Sequence, residues 1–226
     1  MQETEFFATR AALHALAEHV LAPARFREDH HVGLQPTDEG IETPAAGRKD
    51  RVAGVRGNRI YVREAGKERS TEITTLGAAA RFVGIEAGVP DGLWKPVTRP
   101  SHQAHLRIDA EAVVRLAQWF QLTKAALAEL AESGDADLAP VQLWPEHLDL
   151  ATSGDQVNYG GSPGDDLIEM PYLYVGPWDH PVSADPFWNA PFGAALPIAE
   201  VSSVDTASEF FRTGRGLVAA ARGSAA

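Results

Sequence analysis

Between Ala125 and Phe211 the chain runs for 87 residues with 15 Asp and Glu and not one Lys or Arg. His147 and His180 are the only other groups there that can carry positive charge, and Trp144, Trp178 and Trp188 lie in the same stretch. Carboxylates gathered without cations repel one another. Such a segment folds only if a metal, a cationic ligand, basic residues from elsewhere or water offsets them. The imbalance is local: residues 1–108 hold 15 Lys and Arg against 14 Asp and Glu, whereas residues 109–226 hold 5 against 17, which makes the net charge −11.

That charge disfavours nonspecific binding to nucleic-acid backbones or anionic lipid, since both need a basic surface. The absence of cysteine excludes disulfides, thiolate metal sites and cysteine nucleophiles. The N-terminus, MQETEFFATR, has no basic region followed by an apolar run, and no apolar stretch approaches the ~20 residues of a membrane span. The expectation is a soluble cytoplasmic protein whose partners are a small molecule and, through its oppositely charged halves, a second copy in a homodimer. Nucleic acid and membrane are not expected.

Apolar residues at helical spacing (Phe6, Leu13, Leu16, Val20) predict a helix from about Thr4 to Leu21, ended by Pro23. Short extended segments follow, then a meander over Arg51–Arg56, Arg59–Glu64 and Ser70–Thr74 with turns at Gly57-Asn58 and Gly66-Lys67. In its middle strand Ile60 and Val62 alternate with Tyr61 and Arg63, which predicts one buried and one wet face. Thr75 to Val83 reads as a short helix and Gly88 to Arg107 as a proline-rich connection. His102 and His105 fall in that connection and read as loop residues. Asp109 is placed to cap a long helix ending near Ser133. Val141–Leu150, Gln156–Tyr159, Pro171–Val175 and Ala194–Val201 read as strands, and Ser202-Ser203 opens a last helix that Gly214 and Gly216 weaken. The order implies an α+β fold of mainly antiparallel sheet with three longer helices. It forms either two similar helix-plus-sheet halves (1–100 and 101–226) or one domain.

The densest chemistry is Leu143-Trp144-Pro145-Glu146-His147-Leu148-Asp149-Leu150. On a strand, His147 and Asp149 point to one face, where they could ligate a divalent ion or pair for proton transfer, while Glu146 points to the other. Asp165, after the Ser162-Pro163-Gly164 turn, and His180 are further contributors. His147, Asp149 and His180 form the candidate metal set, and a divalent metal is the cofactor considered. Tyr172 and Tyr174 share one face of the third strand. With Trp178 and nearby carboxylates they could receive a cationic or planar ligand by stacking and cation–π contact. No phosphate loop, nucleophile elbow or dinucleotide fingerprint occurs.

Together, the Leu143–Leu150 motif, Gly161-Ser162-Pro163-Gly164-Asp165 and Pro171-Tyr172-Leu173-Tyr174-Val175-Gly176-Pro177-Trp178 resemble an uncharacterised bacterial family common in actinobacteria. Gly33–Thr37 and Glu42–Pro44 are similar to it as well; the family commonly has Phe where this chain has Leu148. The resemblance implies no activity and directs attention to His147, Asp149, Ser162 and Asp165. Two functions stay open. One is a small-molecule pocket around Trp144, Glu146, Ser162, Asp165, Tyr172, Tyr174 and Trp178, with metal-assisted or acid/base catalysis by His147 and Asp149. The other is a non-catalytic binding or interaction protein whose acidic half pairs with Arg51, Arg56, Arg59, Arg63, Lys67 and Arg69 of the meander.

Overall fold

The computed structural model describes residues 3–133, 138–179 and 183–223. The chain divides into two compact units, Met1–Gln118 with Leu143–Leu148, and Trp119–Gln142 with Asp149–Ala226. The fold is α+β, with two five-stranded antiparallel sheets.

The first unit opens with α1 (Glu3–Leu16), whose stripe residues Phe6, Leu13 and Leu16 are buried. Pro23 does not end the helical run as expected. The run passes through a π-helical turn (Ala17–Leu21) into α2 (Ala22–Asp29). The Ala22 N–H bonds the Ala17 carbonyl five residues back, and this wide turn brings Pro23 into the first turn of α2, where a missing N–H is tolerated. The run stops at His30, in the left-handed region at φ 61°.

Five strands then pair antiparallel in chain order: β1 (Gln35–Thr37), β2 (Gly40–Glu42), β3 (Val52–Arg56), β4 (Arg59–Glu64) and β5 (Lys67–Glu72). Glu64 pairs with Lys67, so the second turn is Ala65-Gly66, one residue earlier than predicted. Both turn residues have positive φ (49° and 76°), whose twist suits a two-residue hairpin. The expected wet face of β4 holds a buried Tyr61, whose hydroxyl donates to the Glu42 carboxylate. Gly54 lies opposite, where a Cβ would come within 2.6 Å of the Tyr61 ring, so only glycine lets the ring lie over β3. The meander's cations find partners close by. Arg51 meets Glu28, Arg56 meets Glu39 and Glu68, and Arg63 meets Glu42 and Glu68. Arg59 bonds Ser70, and Arg69 lies 4.3 Å from the Phe82 ring centre.

Thr75 caps α3 (Leu76–Val83) by accepting the Ala78 N–H at 3.1 Å. α2 packs on β3, and α3 packs on β4 and the π-helical turn. Within that turn the fully buried Glu18 accepts four hydrogen bonds from the proline-rich connection. The donors are Trp94 Nε1 (2.9 Å), Val97 N (2.8 Å), Thr98 N (2.8 Å) and Thr98 Oγ1 (2.5 Å). Burial pushes this carboxyl up, but the hydrogen bonds from Thr98, Trp94 and Val97 outweigh it and hold the group below its usual 4.5.

The long helix α4 (Ala110–Glu132) starts where predicted, with Asp109 accepting the Ala112 N–H at 2.8 Å. It belongs to the first unit up to Gln118 and to the second from Trp119. The second sheet has the order β10-β9-β8-β7-β6, from β6 (Gln142–Trp144), β7 (Asp149–Gly154), β8 (Val157–Ser162), β9 (Tyr172–Pro177) and β10 (Ala194–Pro197). The single strand expected over Val141–Leu150 is therefore broken. Pro145 cannot donate to a ladder, and Pro145–Leu148 forms a turn in which Leu148 takes φ 53°. Alternation thus no longer puts His147 and Asp149 on one face.

In α5 (Val204–Gly223), capped by Ser203 Oγ on the Thr206 N–H, Phe211 packs edge-on against Tyr159 of β8. Gly214 costs α5 about 1 kcal/mol relative to alanine, yet a Cβ there would lie 2.9 Å from the Val175 methyls, so the glycine lets α5 settle onto β9. Among the described residues no helix is long and apolar enough to cross a membrane.

Candidate functional site

Strand alternation assembles the site in the second unit. Ser162 pairs with Tyr172, Gly160 with Tyr174 and Asn158 with Gly176, so these six residues share one face of β8 and β9. The Tyr174 hydroxyl donates to Asp149 Oδ2 at the start of β7. The Tyr172 hydroxyl donates to Asp165 Oδ2 at 2.6 Å, and Asp165 Oδ1 accepts the N–H groups of Leu167 and Ile168 at 2.8 and 2.9 Å. Phe192 stacks on Tyr172 with ring centres 5.9 Å apart and meets Tyr174 edge-on at 6.3 Å. Beyond β9, Trp178 donates through Nε1 to Asn158 at 3.1 Å.

Glycine and a tight turn make this arrangement fit. A Cβ at Gly160 would lie 2.6 Å from the Tyr174 hydroxyl and 2.7 Å from the Leu150 carbonyl oxygen. Gly164 adopts φ 96°, as the second residue of a Pro-Gly turn requires. Ser162 Oγ accepts the Gly164 N–H at 3.1 Å, and its carbonyl accepts from Trp119 Nε1 at 2.9 Å, which ties the turn to α4. Exposure rises along the face. Asp149, Ser162 and Tyr172 are buried, Tyr174 and Phe192 half-buried, and Asn158 exposed; Trp178 has 62% of its surface free.

Three carboxylates of this acidic stretch, Asp149, Asp165 and Asp185, are thus held in a way that the charge count did not anticipate: neutral donors bind them. Phenol hydroxyls and backbone amides serve Asp149 and Asp165, and the Phe187 N–H serves Asp185 at 2.9 Å. The tyrosines respond in turn. Burial first, then the hydrogen bond to Asp165, pushes the Tyr172 hydroxyl far up; burial and the Asp149 charge do the same to Tyr174. Both therefore stay protonated at neutral pH and act as fixed donors. Tyr172→Phe is expected to lower stability by about 1–2 kcal/mol, because Asp165 loses its phenol donor while keeping two amides. A shift of the urea midpoint with unchanged slope checks this.

Of the residues singled out in the sequence, Asp149, Ser162, Asp165, Tyr172, Tyr174 and Trp178 come together here. His147 is exposed in the Pro145–Leu148 turn of the first unit, and the chain enters the second unit at Asp149. Trp144 and Glu146 are half-buried in the first unit, where the Glu146 carbonyl accepts from His14 Nε2 at 3.2 Å. His180 lies outside the described residues. Among those described, no group of three or more His, Asp or Glu is arranged to hold a metal ion. Asn158 and Gly160 escaped the sequence reading. Their signal was the alternation Asn158, Gly160, Ser162, which needs the β8–β9 register to become visible.

Compared with protein-family models, curated proteins and solved structures, the chain matches none.

Proposed function

We propose that the chain is a soluble cytoplasmic small-molecule-binding protein of the actinobacterial type whose motifs it resembles. Its ligand is planar, carries a cationic or hydrogen-bond-donating group, and lies on the tyrosine–aspartate face of the second unit. One observation carries this reading: the rings of buried Tyr172 and half-buried Tyr174 and Phe192 pack on one another beside Asp149 and Asp165, and exposed Trp178 stands at the end of the same face against Asn158. Flat rings supply stacking surface at low entropic cost, and the carboxylates supply the complementary charge.

Binding is favoured over acid/base catalysis because both phenols hold their protons tightly, and because a turn separates His147 from Asp149 in the strand pattern. It is also favoured over pairing of the acidic half with the basic meander, since Arg51, Arg56 and Arg63 meet carboxylates of their own unit.

Benzamidine, a planar aromatic cation, is a suitable probe. It is expected to change the chain's tryptophan emission saturably, with Trp178→Phe removing most of the signal. Asp149→Asn should weaken binding about tenfold, corresponding to about 1.4 kcal/mol. A non-saturating response in the unaltered protein, or equal affinity in Asp149→Asn, refutes the proposal.

A further inference from the structure

The first unit holds a cleft of opposite character. It has a volume of about 420 Å³ and is lined by His19, Lys95, Thr98, Arg99 and His102, with Pro96 and Pro100 between them. Among the described residues no carboxylate lines it. In a protein of net charge −11, cations normally find acidic partners, as Arg51, Arg56 and Arg63 do in the same unit. Lys95 and Arg99 are exposed and, among the described residues, make no ion pair or side-chain hydrogen bond.

The wall bearing these cations is held from behind. Glu18 accepts from Thr98 N, Thr98 Oγ1, Val97 N and Trp94 Nε1, while His19 Nε2 lies 3.1 Å from the Thr98 carbonyl oxygen and 2.9 Å from its hydroxyl. The π-helical turn carries both residues, and π-turns recur at functional sites. Pro96 and Pro100 fix φ on either side of Thr98. The loop therefore has its shape before any ligand arrives, which lowers the entropic cost of binding. Glu18, the acid nearest to His19 at 3.6 Å, is fully buried and already accepts those four hydrogen bonds.

We propose that this cleft is a binding site for the oxyanion group, phosphate or carboxylate, of a small molecule, with Lys95 and Arg99 as its charge partners and His102 at its rim. Arg99 offers a planar fork that suits either group, and Lys95 a mobile point charge. The site is independent of the aromatic face in the second unit and selects the opposite ligand charge.

The test is isothermal titration of the full chain with inorganic phosphate and, separately, with succinate, against sodium chloride at matched ionic strength. At least one of the two should saturate, in the millimolar range expected of two exposed cations, and the one that does names the head group. Lys95→Ala/Arg99→Ala should weaken that binding about tenfold or more while leaving the thermal melt unchanged, since both side chains are exposed. Failure of both oxyanions to saturate, or undiminished binding by the double variant, overturns the proposal.

Discussion

Replacing Glu18 by alanine is expected to destabilise the protein by about 3–5 kcal/mol, since each donor left unsatisfied costs about 1–3 kcal/mol and water can reach some of them. The change leaves Trp94 Nε1, the Val97 and Thr98 amides and the Thr98 hydroxyl without their acceptor. Two of these are backbone groups that cannot turn elsewhere without moving the connection. Glu18→Gln keeps one acceptor oxygen and should cost clearly less. Denaturant unfolding of both variants checks the ordering; a loss below about 1 kcal/mol in the alanine variant, a typical single neutral hydrogen bond, would show that the network is weak.

The same carboxylate gives the protein an acid limit. Its folded pKa lies below the 4.5 of the free group, so the unfolded chain takes up a proton first. The stability it contributes is complete above 4.5 and is lost as pH falls from there through the folded value. His14 adds an earlier loss. Burial lowers its pKa below 6.5, against opposing contributions from Glu18 and the Glu146 carbonyl, so its contribution is complete above 6.5 and declines below it. Urea midpoints followed from neutral pH downward should fall in two stages. His14→Gln should remove the first stage and Glu18→Gln the second.

Gly160→Ala is the second change with a large expected effect. Its Cβ would meet the Leu150 carbonyl oxygen at 2.7 Å and the Tyr174 hydroxyl at 2.6 Å. The tyrosine can swing away; the strand carbonyl cannot without spreading β7 from β8. A loss of about 2–3 kcal/mol is expected, typical of overpacking a closely fitted site. With the Tyr174–Asp149 hydrogen bond displaced, benzamidine binding should fall as well. If stability drops while benzamidine affinity stays, the phenol–carboxylate pair is structural and not part of the binding face.

Elements set by local rules were legible in the sequence. Asp109 capping α4, Thr75 beginning α3, the hairpin at Gly57-Asn58 and the shared face of Tyr172 and Tyr174 depend on residues a few positions apart or on two-residue alternation. The errors came where a simple rule met a remedy it does not contain. Pro23 would stop an ordinary helix, but the π-turn before it shifted the hydrogen-bond register and absorbed the missing donor. Tyr61 would face water, but Gly54 on the neighbouring strand opened space and Glu42 supplied an acceptor.

Much of the candidate face was within reach, because Asp149, Ser162, Asp165, Tyr172, Tyr174 and Trp178 stand out by type and clustering. Their connections were not. Tyr174 reaches Asp149 across 25 positions, and only the register of β7, β8 and β9 makes them neighbours. The basic cleft was less visible still, since Glu18 and Thr98 are separated by 80 positions and nothing in either neighbourhood points to the other.

By itself the sequence determined the α+β class, most helix starts and strand positions, and the excess of negative charge in the later part of the chain, because these follow from local propensity, periodicity and composition. Only the tertiary structure decided how Asp149, Asp165 and Asp185 are held, by phenols and amides, and where two cations without an ion pair among the described residues come to line an open cleft. Pairing partners are chosen by strand register and long-range packing, and neither is encoded in any short stretch of chain.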